Sequence, residues 1–313
     1  MRKNVIRNRY RYQMQDIHDI MSVREREQAM LVHCERRMAI RIAAYAASST
    51  KGANHDIIKT SFEKWGKAMY AQLKLELEAD DIDYKKSSNL QGILMENIDT
   101  EYAGILHGNQ LNPYSQCLIR ENGKNIWCIK TLTEEAYEQI IQPMSEVKSV
   151  VFKKSGRDVG VTKWQMDRCE ERELLDEFYD TSCPKYLDIQ FMSPTAFKQD
   201  GRYVIYPDLR LIYGSLMRKY SAVSGELDMI DEDLLNQLTD HSSITRYRLQ
   251  TILFPMEKTN ITGFVGNISI RVHGPETLAR YVRLLLRFGE FSGVGIKTGM
   301  GMGAMRYNRR EPK

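Results

Sequence analysis

Apolar positions change their spacing along this chain, and each change marks an element. Leu31, Cys34, Met38, Ile42 and Tyr45 recur every three or four residues, and beyond the break at Ser48-Ser49-Thr50-Lys51-Gly52 a second stripe runs through Ile58, Phe62, Trp65 and Met69. That period predicts two amphipathic helices joined by a turn. At Leu73 it drops to two: Leu73, Leu75 and Leu77 alternate with Lys74 and Glu76, as in a strand with one buried face. A helical stretch follows from about Ser88 to Leu106, then short strands near 116–121 and 125–130 about the turn signal Asn122-Gly123. Thr133, Glu134 and Glu135 open a helix to about Gln142, and a strand over Val147–Lys153 closes the set.

The second half repeats this order. Leu187, Ile189 and Phe191 alternate with polar neighbours, and Pro207 is placed in the first turn of a helix through Leu211, Leu216 and Met217. Strands are expected at 246–254 and 264–272. Leu278, Tyr281, Val282, Leu285 and Leu286 then mark a core-facing helix whose other face carries Arg280, Arg283 and Arg287. A short strand over Ala304–Tyr307 ends the pattern. Each half reads β-α-β-β-α-β, so the expected class is α+β: two tandem ferredoxin-like (RRM-like) domains, 71–181 and 182–313, behind an N-terminal helical extension, 1–70. Residues 154–182, charged and poor in strand formers, are expected to be an insertion or linker.

Charge adds an asymmetry that periodicity hides. Residues 1–70 hold fourteen Lys/Arg against seven Asp/Glu, so in a 313-residue chain of net charge +4 the remainder carries −3. Arg2, Lys3, Arg7, Arg9 and Arg11 are interleaved with Tyr10 and Tyr12, a pattern suited to phosphate contact and base stacking; a solvated helical face is the competing reading. A hydrophobic share of 42% is enough for real cores. Five scattered cysteines with no CxxC argue against a zinc site or a disulfide framework and for a reducing compartment. The charged N-terminus holds no apolar signal core, and no apolar run approaches the roughly 20 residues that cross a bilayer. A cytoplasmic protein without membrane contact, metal or cofactor is expected.

The densest local signal is GEFSGVGIKTGMGMG, 289–303, with Gly289, Gly293, Gly295, Gly299, Gly301 and Gly303 around Lys297. Glycines permit positive φ and close backbone approach, so successive amides can form a nest for phosphate. Val, Ile and Met fillers argue against a flexible linker. Lys297 precedes Thr298-Gly299 rather than following a glycine as in a Walker loop, and the run follows a helix rather than opening one, against a dinucleotide fingerprint. A clamp for a polynucleotide backbone remains.

FSGVGIKTGMGMGAMRY resembles the C-terminal glycine-rich signature of the CRISPR-associated repeat-processing endoribonucleases of the RAMP superfamily. LDIQFMSPTAFKQDGRYVIYPDLRLIYGSLM, 187–217, and LQGILMENIDTEYAGILHGNQLNPYSQCLI, 90–119, resemble two further family segments in the expected order. The resemblance spans about 72–313 and implies two ferredoxin-like domains, CRISPR repeat RNA (the pre-crRNA) as partner, and metal-independent cleavage to a 2′,3′-cyclic phosphate and a 5′-hydroxyl. It places the family histidine at His107. The helix position that holds tyrosine in some relatives is Met95 here, so Tyr102 or Tyr114 stands in, and Lys297 supplies the cation. Gly293, Gly295, Lys297, Gly299, Gly301, Gly303, Arg306, Arg210, Arg218, Arg9 and Arg11 are the expected RNA contacts, and residues 1–70 are a candidate docking surface for other CRISPR-associated proteins. A non-catalytic RNA-binding RAMP subunit is the alternative.

Overall fold

Leu73, Leu75 and Leu77 are buried and Lys74 and Glu76 are half-buried along strand β1 (Ala68–Leu77), as their alternation requires. The computed structural model describes residues 67–109, 111–180, 182–224, 228–256 and 259–308, all within one unit, Lys59–Lys313. Met69, expected on the second helix, lies on β1; the rest of the expected hairpin falls outside the described residues. Helix α1 (Ser87–Glu96) and helix α2 (Thr100–Gly108) replace the single helix expected over 88–106. The break is local chemistry: the Asp99 carboxylate accepts from the Tyr102 N–H at 2.9 Å and caps a new helix. β2 (Tyr114–Glu121), β3 (Lys124–Thr133) and α3 follow, α3 continuing from Glu134–Ala136 through a π-helical Tyr137–Ile141 to Gln142–Ser145.

The strand expected at Val147–Lys153 is β4 (Ser149–Phe152), but it does not close the domain. That role belongs to β5 (Arg157–Glu170), which pairs antiparallel with β1 from Met69↔Glu170 to Leu77↔Val161 and lies in the stretch expected to be a linker. The sheet order is β2-β3-β1-β5-β4. Most of β5 is exposed, so its sequence has no buried alternation to read. Helix α4 (Glu171–Asp180) fills the rest of the supposed linker.

The second sheet orders β11-β6-β10-β9, from β6 (Tyr186–Thr195), β9 (Ser242–Pro255), β10 (Asn260–Val272) and β11 (Met305–Asn308). A hairpin of β7 (Phe197–Gln199) and β8 (Arg202–Val204) leads to helix α5 (Leu209–Val223). Asp208 caps α5 by accepting from Leu211 N–H at 2.9 Å, so Pro207 sits just outside the first turn. Helices α6 (Glu232–Asp240) and α7 (Glu276–Ser292) complete the half. The arginine face of α7 is not solvated: Arg283 is 5% exposed. Arg280 donates to the carbonyls of Phe178 and Tyr179, and Arg283 to those of Glu177 and Ser182. These guanidiniums satisfy the orphan carbonyls at the C-terminus of α4. Both halves are thus ferredoxin-like, and no helix among the described residues is long and apolar enough to cross a membrane.

The halves meet along a seam of named contacts. Cys117, Cys128 and Ala304 form a small buried cluster with Ile119, Ile126 and Met192 against it. Tyr70 stacks edge-on to Phe288 at 5.5 Å. Lys130 Nζ donates to the Glu290 carbonyl and Ser115 Oγ to that of Phe291, each at 2.5 Å.

Candidate active site

A cleft of about 940 Å³ opens between the halves. From the first half come Met95, His107 and Tyr114; from the second come Lys198, Tyr203, Arg218, Lys219 and the 295–300 stretch of the glycine loop, Lys297 included. His107 is exposed on the last turn of α2, which puts its imidazole at the cleft wall. Tyr114, at the start of β2, is 1% exposed, and its phenol oxygen accepts from Gln91 Nε2 at 3.3 Å.

Tyr102 is not a cleft residue. It faces the core of the first half at 4% exposure, and burial, followed by the charge of Glu135, raises its pKa far above the ordinary tyrosine range. Tyr114, and not Tyr102, lines the cleft together with His107. Arg210 pairs with Glu232 and donates to Asn236 Oδ1 at 2.6 Å, on the side of α5 that faces α6. Arg306 lies in the seam with Glu121 at 2.5 Å. Neither lines the cleft, whereas Arg218 does. Arg9 and Arg11 fall outside the described residues.

The glycine loop is a packed element rather than an open nest. Most of its amides are spent inside the fold: Gly293 N–H donates to Gly289 O, Val294 to Gly303 O, Ile296 to Ala196 O, Met302 to Lys297 O and Gly303 to Pro194 O, and Gly295 N–H donates to Ser215 Oγ. Gly293, Gly301 and Gly303 are buried. The space beside Gly301 that was expected for RNA is filled by Ser87 of α1, whose Cβ would lie 2.2 Å from a Cβ at 301. Lys297 adopts a left-handed conformation with φ of 56° and is exposed at the loop's cleft-facing tip. Glycine here brings two backbones together and so presents Lys297.

Two cleft lysines and an exposed tyrosine escaped the sequence reading. Lys198 and Tyr203 are cross-strand partners on the β7–β8 hairpin, and Tyr203 is 50% exposed. Asp200-Gly201, both with positive φ, is the hairpin signal that marks them. Lys219 carries no such signal. Its ammonium donates to Ser292 O, Gly293 O and Thr298 Oγ1 at 3.1–3.2 Å, tying α5 to both ends of the glycine loop. Burial, and after it the Arg218 guanidinium, lowers its pKa from 10.5 to about 7. Between those values the unfolded chain holds a proton that the folded chain releases, so this group makes the fold more stable as pH rises through that window. Thermal melts across the window should show wild type gaining stability relative to Lys219→Met as pH rises; a difference that does not change with pH would rule this out.

Among the described residues no three His, Cys, Asp or Glu side chains cluster as metal ligands. Fold and cleft together define a tandem ferredoxin-like protein with a basic, solvent-open cleft suited to an anionic chain. The family profile for CRISPR-associated endoribonuclease Cas6 matches residues 189–305. The CRISPR-associated endoribonuclease Cas6 of Streptococcus thermophilus is 34% identical over 245 residues, covering 78% of this chain and 99% of its own. Its namesake from Mycobacterium tuberculosis is 37% identical over 229 residues, 72% of each chain. Among solved structures, a Cas6 product complex superposes with a TM-score of 0.65 at 23% identity over 77% of this chain and 100% of that one. Thermus thermophilus Cas6 gives 0.61 at 21% identity over 78% and 100%. The chain belongs to the CRISPR-associated endoribonuclease Cas6 family and is an endoribonuclease, which sets aside the non-catalytic alternative.

Proposed function

We propose that this chain binds CRISPR repeat RNA and cuts the precursor transcript into guide RNAs without a metal ion, using His107 and Lys297 across the cleft. One observation carries this reading: His107 from α2 and Lys297 from the glycine loop, 190 positions apart in a 313-residue chain, line the same cleft. In RNA the 2′-hydroxyl already stands beside the scissile phosphorus, so the substrate supplies the nucleophile and a large effective-molarity advantage. The 2′-oxygen bonds to phosphorus and the bond from phosphorus to the 5′-oxygen breaks, leaving a 2′,3′-cyclic phosphate and a 5′-hydroxyl. One proton must leave the 2′-hydroxyl and one must reach the 5′-oxygen, work that an imidazole performs near neutrality. Lys297 stabilises the charge that builds on the phosphorane oxygens. Arg218, Lys198 and Tyr203 carry the flanking phosphates and stack a base. The expected role of residues 1–70 in RNA contact or in docking other CRISPR-associated proteins falls on residues 1–66, outside those described.

Cleavage of the chain's own repeat RNA should persist in excess EDTA and yield those two end groups. A single 2′-deoxy substitution on the nucleotide 5′ of the scissile phosphate should stop cutting while binding is retained, because only the nucleophile is removed. Dependence on added Mg²⁺, or cutting of the deoxy substrate, would refute the mechanism.

A further inference from the structure

Strand β5 is paired on one side only for most of its length. Toward the interior it follows β1 from Glu170 to Val161. On its outer side β4 covers just residues 157–160, and the last bond there is Val161 N–H to Lys148 O at 2.8 Å. Over 162–169 no described strand lies beyond it. A long edge is a template for another strand, and natural sheets blunt such edges with bulges, prolines, short strands or charged side chains. This one carries a bulge at Thr162 and the charges of Lys163, Asp167 and Arg168. Here the edge holds no proline, and it shows Trp164 at 62% and Met166 at 39% exposure. It is also held firm: Met166 accepts a hydrogen bond from Tyr137 Oη at 3.6 Å, and Arg168 stacks over the Tyr137 ring at 4.0 Å.

Its sequence complements itself. In an antiparallel pair, residues opposite one another share a face of the sheet. If the strand meets its own copy about a twofold axis at Gln165, Lys163 lies opposite Asp167 twice and Trp164 opposite Met166 twice, with Thr162 opposite Arg168. Charges of opposite sign then meet on one face, and an indole meets a thioether on the other, a favourable contact. Moving the axis one residue destroys this match. At Met166 it sets Gln165 opposite Asp167 and Lys163 opposite Cys169; at Trp164 it sets Thr162 opposite Met166 and Val161 opposite Asp167. Both Lys163 and Asp167 are exposed.

We propose that the 162–169 edge of β5 pairs antiparallel with the same edge of a second copy of this chain, about a twofold axis at Gln165, joining two first-half sheets into one. The interface is isologous, so each cross-axis contact occurs twice and each substitution counts twice. It leaves the cleft untouched, since none of its residues lines that cleft.

Sedimentation equilibrium on the full chain without RNA should show a monomer–dimer equilibrium. Lys163→Asp alone, or Asp167→Lys alone, places two like-charged pairs across the axis and should weaken the dimer by at least about tenfold. The double reversal, Lys163→Asp with Asp167→Lys, restores opposite charges and should restore association. Gln165→Cys, lying opposite its own copy, should form a disulfide-linked dimer on treatment with diamide under conditions where wild type does not. Circular dichroism should show that these exposed changes leave the fold intact. A wild type that sediments as a monomer throughout, a dimer indifferent to either single reversal, or a double reversal that fails to restore association would each overturn the proposal.

Discussion

His107→Ala is expected to slow cleavage by about 10²–10⁴-fold, the usual contribution of a general acid or base. That corresponds to roughly 3–5 kcal/mol of transition-state stabilisation. The side chain is exposed on the last turn of α2, so its removal opens no cavity, and thermal stability should stay within about 0.5 kcal/mol of wild type. Affinity for repeat RNA should barely change, because the proton transfers are made in the transition state rather than in the bound ground state. Single-turnover cleavage with saturating enzyme isolates the chemical step from binding and product release. A variant that cuts at the wild-type rate under those conditions would remove His107 from the chemistry. The next hydroxyl on the same wall is Tyr114, whose own pKa burial raises. Tyr102 is no substitute, since its side chain faces the core.

What the sequence made legible was whatever one buried face imposes. β1 and β6 bury one face, and the period of two found both, as well as β10. α7 buries Leu278, Tyr281, Val282, Leu285 and Leu286, the positions its spacing marked. β5 was missed for the converse reason: a strand exposed from Thr162 to Arg168 has no inside to alternate with. The helix-capping contacts of Arg280 and Arg283 were not legible, because their acceptors there are backbone carbonyls, which leave no trace in side-chain identity. His107 and Lys297 were found through motifs, and the fold brings them to one cleft. Lys219 was invisible because its three acceptors come from residues 73 to 79 positions away. The glycine loop was read as a phosphate nest, yet a Cβ on Gly293, Gly295, Gly299, Gly301 or Gly303 would stand within 3 Å of the protein's own atoms.

That last correction makes Gly301 a stability position. Its φ of 112° is a conformation that residues with a side chain rarely adopt. An added Cβ would stand 2.2 Å from Ser87 Cβ and 2.9 Å from Ser87 Oγ. Ser87 has no room to retreat: it is fully buried, its Oγ accepts from Leu118 N–H at 3.2 Å, and its carbonyl accepts from Gln116 Nε2 at 2.9 Å. The same Gln116 amide also donates to Gly299 O at 3.3 Å, so displacing α1 would disturb the loop a second time. Strain at φ and overpacking each cost about 1–3 kcal/mol. Gly301→Ala should therefore destabilise the fold by roughly 2–5 kcal/mol, a fall in Tm of about 5–15 °C for a unit of this size. Cleavage should weaken along with RNA affinity, since Lys297 is presented by the same loop. The partner substitution separates the two causes. Ser87→Gly removes the clash but not the φ strain, and by itself costs the acceptor of Leu118 N–H. So Gly301→Ala should lower Tm less in the Ser87→Gly background than in wild type, but still lower it. If Gly301→Ala melts with wild type and only RNA affinity falls, the glycine faces the RNA and the packing account is wrong.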